Sequence, residues 1–202
     1  MPLKAIALNC TLKSDPSESS STDAMLAVLR DAFKQHEVEI GRIVRVAALD
    51  IKPGVASDEG DGDEWPALRR EILDHDILVF GGPIWMGQLG SVAKRVLERF
   101  DAFLTETDGQ GRMPSYGKVA VAAIVGNEDG AHFSSAQLFQ ALNDVGFTIP
   151  AVATCYWVGE AMGKLDFKDL EETPKKVLDT AGMVASNAAH LARLLKGSPY
   201  PG

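Results

Sequence analysis

Five short apolar runs, separated by stretches of helical periodicity, constrain this chain more than any other feature. The runs are Leu3–Leu8, Val38–Val46, Ile77–Phe80, Val119–Val125 and Thr148–Ala153. Helical spacing is seen in Thr22–Phe33, weakly in Trp65–Leu73, and clearly in Val92–Leu104, Ala136–Val145 and Pro174–Leu195. Apolar strands alternating with helices imply a parallel sheet covered on both faces. Right-handed crossovers then predict an α/β fold, a doubly wound five-stranded parallel sheet of order 2-1-3-4-5 in a three-layer sandwich. A chain of 202 residues is expected to form one domain, 1–202, with its core over 3–196.

Charge and cysteine content exclude several functions. A formal charge of −8 argues against nucleic acid or anionic lipid as partner, because a backbone-tracking surface needs clustered Lys and Arg. No apolar run reaches the ~18 residues of a membrane span, and no secretory leader is visible, so a cytoplasmic protein is expected. Cys10 and Cys155 are too few for a disulfide framework or a zinc site and read as reduced, buried residues. A cysteinyl-phosphate mechanism would need Cys-x5-Arg, and Pro16 stands where that Arg belongs. The acidic stretch Asp58–Glu64 lacks calcium-loop spacing and reads as a solvated loop.

In such a sheet, ligands gather at the carboxyl ends of the strands where the winding reverses. Three loops meet there. Asn9–Thr22 is crowded with hydroxyls and opens a helix, which suits a phosphate, with Thr11, Lys13, Ser19, Ser21 and Thr22 as candidate contacts and Thr22 or Ser21 as N-cap. Gly82–Gly90 is Gly-rich, apolar and aromatic, and offers Pro83, Ile84, Trp85, Met86 and Gly87 as a wall. Gly126–His132 offers backbone N–H groups around Gly126, Asn127 and Gly130, with His132 as a proton donor or edge contact. A phosphate at one end, a flat wall and hydrogen-bonding backbone together describe flavin mononucleotide (FMN). A dinucleotide fits less well because no Gly-x-Gly-x-x-Gly follows the first strand, and the chain has no Gly-x-x-x-x-Gly-Lys-Ser/Thr for ATP or GTP.

These residues also resemble the flavodoxin-like NAD(P)H-dependent FMN reductase family over nearly the whole chain. Ser20-Ser21-Thr22 corresponds to the cap that closes that family's phosphate loop. Pro83-Ile84-Trp85-Met86-Gly87, with Lys94 following and then Arg99-Phe100-Asp101, is similar to its Pro-x-Tyr-x-Gly pattern, with Trp for Tyr. Gly130-Ala131 stands for its paired glycines, and Ala131 should restrict the backbone near the pyrimidine end of the flavin. The resemblance implies bound FMN, NADPH or NADH as reductant, and a homodimer. Hydride would pass through flavin N5 to a small acceptor, a quinone or free flavin, with no metal.

Reduction of a flavin leaves negative charge that backbone N–H groups from Gly126 to Gly130 could stabilise, whereas Glu128 and Asp129, if turned inward, would oppose it. No catalytic side chain is identified. Trp157 borders either the pocket or a subunit contact, and His36, His75 and His190 are assigned nothing. A flavodoxin-type electron carrier without its own nicotinamide site stands as the alternative, its acidic face docking a basic partner; a flavin-free relative is a third.

Overall fold

Along the strand Leu3–Asn9 (β1), every side chain from Ala5 to Asn9 is buried, so both faces of this strand are covered. The computed structural model describes residues 2–201. After β1 the elements are α1 (Ser21–Lys34), β2 (Val38–Arg45), α2 (Trp65–Leu73), β3 (Ile77–Trp85), β4 (Gln88–Leu89), α3 (Ser91–Phe100), β5 (Val119–Gly126), α4 (Ala131–Asp144), β6 (Thr154–Val158) and α5 (Lys175–Gly197). The parallel strands run β2-β1-β3-β5-β6. That is the expected 2-1-3-4-5 order, because β4 pairs only with the end of β3, antiparallel.

Side-chain alternation divides the core in two. Ala5, Ala7, Val79, Val121 and Ala123 face α1 and α5, while Ile6, Leu8, Leu78, Phe80, Ala122 and Ile124 face α2, α3 and α4. The alanines of α5 (Ala181, Ala185, Ala188, Ala189 and Ala192) are all buried in the first of these cores. Small side chains there let a 23-residue helix lie close to the sheet. The stripe is therefore used within this chain.

Three expectations change. The fifth strand begins at Thr154, not Thr148: Pro150 has no N–H to give a ladder and Val152 adopts a left-handed φ of 54°, so the segment turns before it pairs. Thr148 keeps a single bridge to Val119. The third strand continues past Phe80, since Gly81, Gly82 and Pro83 pair with Ala123, Ile124 and Val125. The fourth helix starts at Ala131, five residues before Ala136.

The Asp58–Glu64 loop is not simply solvated. The Asp63 carboxylate and the Arg99 guanidinium on α3 are both fully buried, 2.7 Å apart. Asp63 also accepts backbone N–H bonds from Lys52, Glu59 and Trp65, while Arg99 donates to the carbonyls of Lys52 and Ala56. Burial alone would raise the Asp63 pKa, but Arg99 and these N–H donors outweigh it and hold the carboxyl down at about 2. The knot fixes α3, which begins just after the β3–β4 hairpin.

Asp63→Asn leaves Arg99 buried without a counter-charge and should cost ~3–5 kcal/mol in urea unfolding at neutral pH. A depressed folded pKa stabilises above the unfolded value and loses that stabilisation as pH falls through the folded one. The gap between wild type and variant should therefore narrow as pH drops from the ordinary carboxylate value of ~4 toward about 2. A gap that stays constant over that range contradicts this assignment.

Candidate functional site

At the carboxyl end of β1 the chain enters a loop organised by one carboxylate. Asp23, in the first turn of α1, accepts from Ser20 N–H at 2.9 Å, Ser20 Oγ at 2.8 Å, Asn9 Nδ2 at 2.5 Å and Arg45 Nη2 at 2.5 Å. Ser20 returns the bond by accepting Asp23 N–H, which completes a capping box. The N-cap is thus Ser20, not Ser21 or Thr22 as expected. Its side chain takes the Asp23 N–H and its carbonyl takes the Ala24 N–H. The N–H groups of Ser21 and Thr22 have no partner within the helix and stand at the positive end of its dipole.

Arg45, at the end of β2, grips the same loop through the carbonyls of Lys13, Asp15 and Glu18. Lys13 bonds the Ser19 carbonyl at 2.9 Å and pairs with Glu18 at 2.8 Å. Both cations therefore brace the loop. Asn9, fully buried, accepts Thr11 N–H through Oδ1 and locks the loop's first turn.

The second and third loops fit each other. Ile84–Trp85 and Gln88–Leu89 form a hairpin whose two turn residues, Met86 and Gly87, have φ of 54° and 74°. Two consecutive left-handed residues suit the right-handed twist of a two-residue hairpin. Glu128 closes the tip by accepting Met86 N–H at 3.1 Å and Gly87 N–H at 2.8 Å. Its charge is thus directed at the hairpin backbone, and Asp129 bonds the Gly130 N–H. Gly130, with φ of 124°, is required by contact: a Cβ there would lie 2.3 Å from the Gly87 carbonyl oxygen. Ala131 is the first residue of α4 and is buried, so its methyl restricts nothing at the cavity wall.

These loops enclose a cavity of about 530 Å³, within the usual range for small-molecule sites. Ten of the expected residues line it: Thr11, Lys13, Ser21 and Thr22 at the head of α1, Pro83, Ile84, Trp85 and Met86 on the hairpin, and Gly126 and Asn127 after β5. Four others lie off the wall. Ser19 is exposed and acts through its carbonyl, while Gly87 and Gly130 hold the two loops together. His132 is exposed and packs edge-on to Tyr156 at 5.3 Å. Lys94 bonds Gln137 on α4, away from the cavity.

Trp157, at the end of β6 and left open between pocket and subunit contact, lines the cavity and stacks obliquely on Phe167 at 5.5 Å. Sequence reasoning missed Met162, Asp166 and Lys168 on the β6–α5 connection, which line it too. Placing β6 at Thr154–Val158 is the signal that finds them, since the loop after it must then start at the same sheet edge. Asn127 is anchored by this segment through a 2.8 Å bond to Asp166, while its Oδ1 is buried without a partner among the described residues.

Neither thiol is suited to nucleophilic work. Burial pushes the Cys10 pKa far above the ordinary thiol value and raises Cys155 to about 12. A larger, more open hollow of about 760 Å³, with Glu106, Arg112, Tyr116 and Tyr200 among its walls, lies at the opposite end of the sheet and gathers no comparable donor set.

Removing the Glu128 carboxylate leaves the two turn N–H groups, one of them exposed, to water. Glu128→Ala should cost ~1–3 kcal/mol and speed hydrogen–deuterium exchange in residues 84–89, the segment that carries Trp85. Unaltered exchange there would mean that Glu128 does not hold the hairpin.

Comparison with known proteins agrees with this architecture. The model of a family described as NADPH-dependent FMN reductase matches residues 3–162. The 8-demethyl-8-aminoriboflavin-5'-phosphate synthase of Streptomyces davaonensis is 33% identical over 214 residues, covering 99% of this chain and 81% of that protein. The crystal structure of RosB with bound 8-demethyl-8-formylriboflavin-5'-phosphate superposes with a TM-score of 0.85 at 31% identity, over 98% of this chain and 82% of that one. A protein of Mycobacterium bovis named divalent metal cation transporter MntH is 39% identical over 163 residues; the match covers 79% of this chain but only 24% of the transporter. A flavodoxin from the Archaea, 11% identical with a TM-score of 0.58, shares the fold. With the family match running from β1 through the loop after β6, this chain belongs to the NADPH-dependent FMN reductase family.

Proposed function

We propose that the cavity holds FMN and that the protein is an oxidoreductase taking reducing equivalents from NADPH or NADH and delivering them to a small acceptor, a quinone or a flavin. The observation that carries this reading is that the donor-rich head of α1 and the Trp85 wall bound one and the same cavity. The donor set fits the ligand chemically. Free N–H groups of Ser21 and Thr22, with the hydroxyls of Thr11, Ser21 and Thr22, suit a phosphate, and Trp85, Pro83 and Ile84 suit a planar ring.

Bound there, FMN would supply the two-electron chemistry itself. The chain's own residues then bind and orient. The braced β1–α1 loop presents its donors without reorganising, and the Trp85 indole, half exposed, gives a flat face that leaves room for a second planar molecule. Glu128 is occupied by the hairpin N–H groups, which keeps its charge directed at backbone. A cytoplasmic location and a homodimer belong to this reading.

A second reading is favoured by the full-length similarity to the Streptomyces davaonensis synthase. In it a flavin 5′-phosphate occupies the same cavity as the molecule acted on, rather than as a resident cofactor. Anaerobic mixing with NADPH, then with NADH, and a separate aerobic incubation with FMN and an amino donor, each followed by mass analysis of the released flavin, distinguish the readings. Rapid bleaching with an unchanged flavin mass supports the oxidoreductase. A flavin bleached only after a separate reductase is added marks an electron carrier, and a changed mass marks a flavin-modifying enzyme.

Substituting Ser21→Ala and Thr22→Val together should weaken FMN binding by ~1–3 kcal/mol through lost bonds to a charged phosphate. Quenching of flavin fluorescence during titration measures this. Equal affinity for wild type and variant would remove these hydroxyls from the site.

A further inference from the structure

We propose that Lys168, on the connection between β6 and α5, is the cation that balances the phosphate at the head of α1 and so makes the site selective for a flavin phosphate over the uncharged flavin. This rests on the reading of the cavity as a flavin-phosphate site. A positive charge strengthens the hold of N–H donors on a phosphate dianion, and the β1–α1 loop does not have one to spare. Arg45 is committed to three loop carbonyls and to Asp23. Lys13 is committed to the Ser19 carbonyl and Glu18. Among the residues lining the cavity, the basic side chains are Lys13 and Lys168.

Lys168 reaches this place through the fold. Its backbone N–H lies 3.4 Å from Ser21 Oγ, which sets it against the first turn of α1, 147 residues away in sequence. Its ammonium contacts Asp169 at 2.8 Å and Asp166 at 3.9 Å. These pairs are solvent-accessible, with side-chain exposures of 25% for Lys168 against 46% and 49% for its partners. Pairs of that kind contribute little, so a dianion at the head of α1 can draw the ammonium away from them. Without Lys168, an entering phosphate would meet the carboxylate of Asp166, which also lines the cavity, without a neighbouring cation. The residue lies beyond position 162, where the family match ends, so the cation comes from a part of the chain outside that match.

The test is a pair of titrations, FMN and riboflavin, followed by flavin fluorescence on wild type, Lys168→Gln and Lys168→Arg. Loss of the charge should weaken FMN by ~10- to 100-fold and leave riboflavin within about two-fold, and Lys168→Arg should keep most of the FMN affinity. The FMN affinity of wild type should also fall more steeply with added salt than that of Lys168→Gln. If Lys168→Gln binds FMN as wild type does, or loses FMN and riboflavin equally, the inference is overturned while the flavin site stands. If wild type binds neither ligand, the reading of the cavity fails and takes the inference with it.

Discussion

The site depends on the carboxylate of Asp23. Four donors converge on it from β1, the N-cap, and the end of β2, so the strand, the loop and the helix cannot move independently. A loop of hydroxyl residues without such a hub would lose its order to conformational entropy, at ~1–2 kcal/mol per residue. Here that cost is met by the fold before any ligand arrives. The two free N–H groups behind the N-cap are consequently held at a fixed place and direction, the condition for an anion site that needs no rearrangement.

The opposite wall is fixed by the same device in reverse. Where Asp23 gathers side-chain and backbone donors around a loop, Glu128 gathers the two N–H groups of the Met86–Gly87 turn. Gly130 allows the two loops to touch, and the buried Arg99–Asp63 pair anchors α3, which follows the hairpin. Glu128, whose charge would oppose a reduced flavin if turned inward, is thus a structural tie. Each of these acidic residues is tied to backbone or to arginine, and the head of α1 keeps N–H and hydroxyl groups for the cavity.

The apolar runs and helical stripes made the layer order and all five helices readable in the sequence, because burial on both faces leaves a direct imprint on composition. Local backbone chemistry hid the rest. Hydropathy alone placed the last strand at Thr148–Ala153, but Pro150 and the left-handed Val152 delay pairing until Thr154. The composition of the first two loops announced a donor-rich end and an aromatic wall, and Thr22 and Trp85 both line the cavity. What could not be read was long range. Glu128 finds its partners 41 and 42 residues away, and Lys168 meets Ser21 across 147. His132 looked chemical in sequence because it follows the third loop, yet the first turn of α4 carries it to the outer surface beside Tyr156.

The most direct measurement is a crystal structure of the protein grown with FMN. The account predicts the phosphate within hydrogen-bond distance of the Ser21 and Thr22 N–H groups, with the ring against Trp85 and the Asp23 network unchanged. A phosphate left in solvent, or seated away from the head of α1, would contradict it.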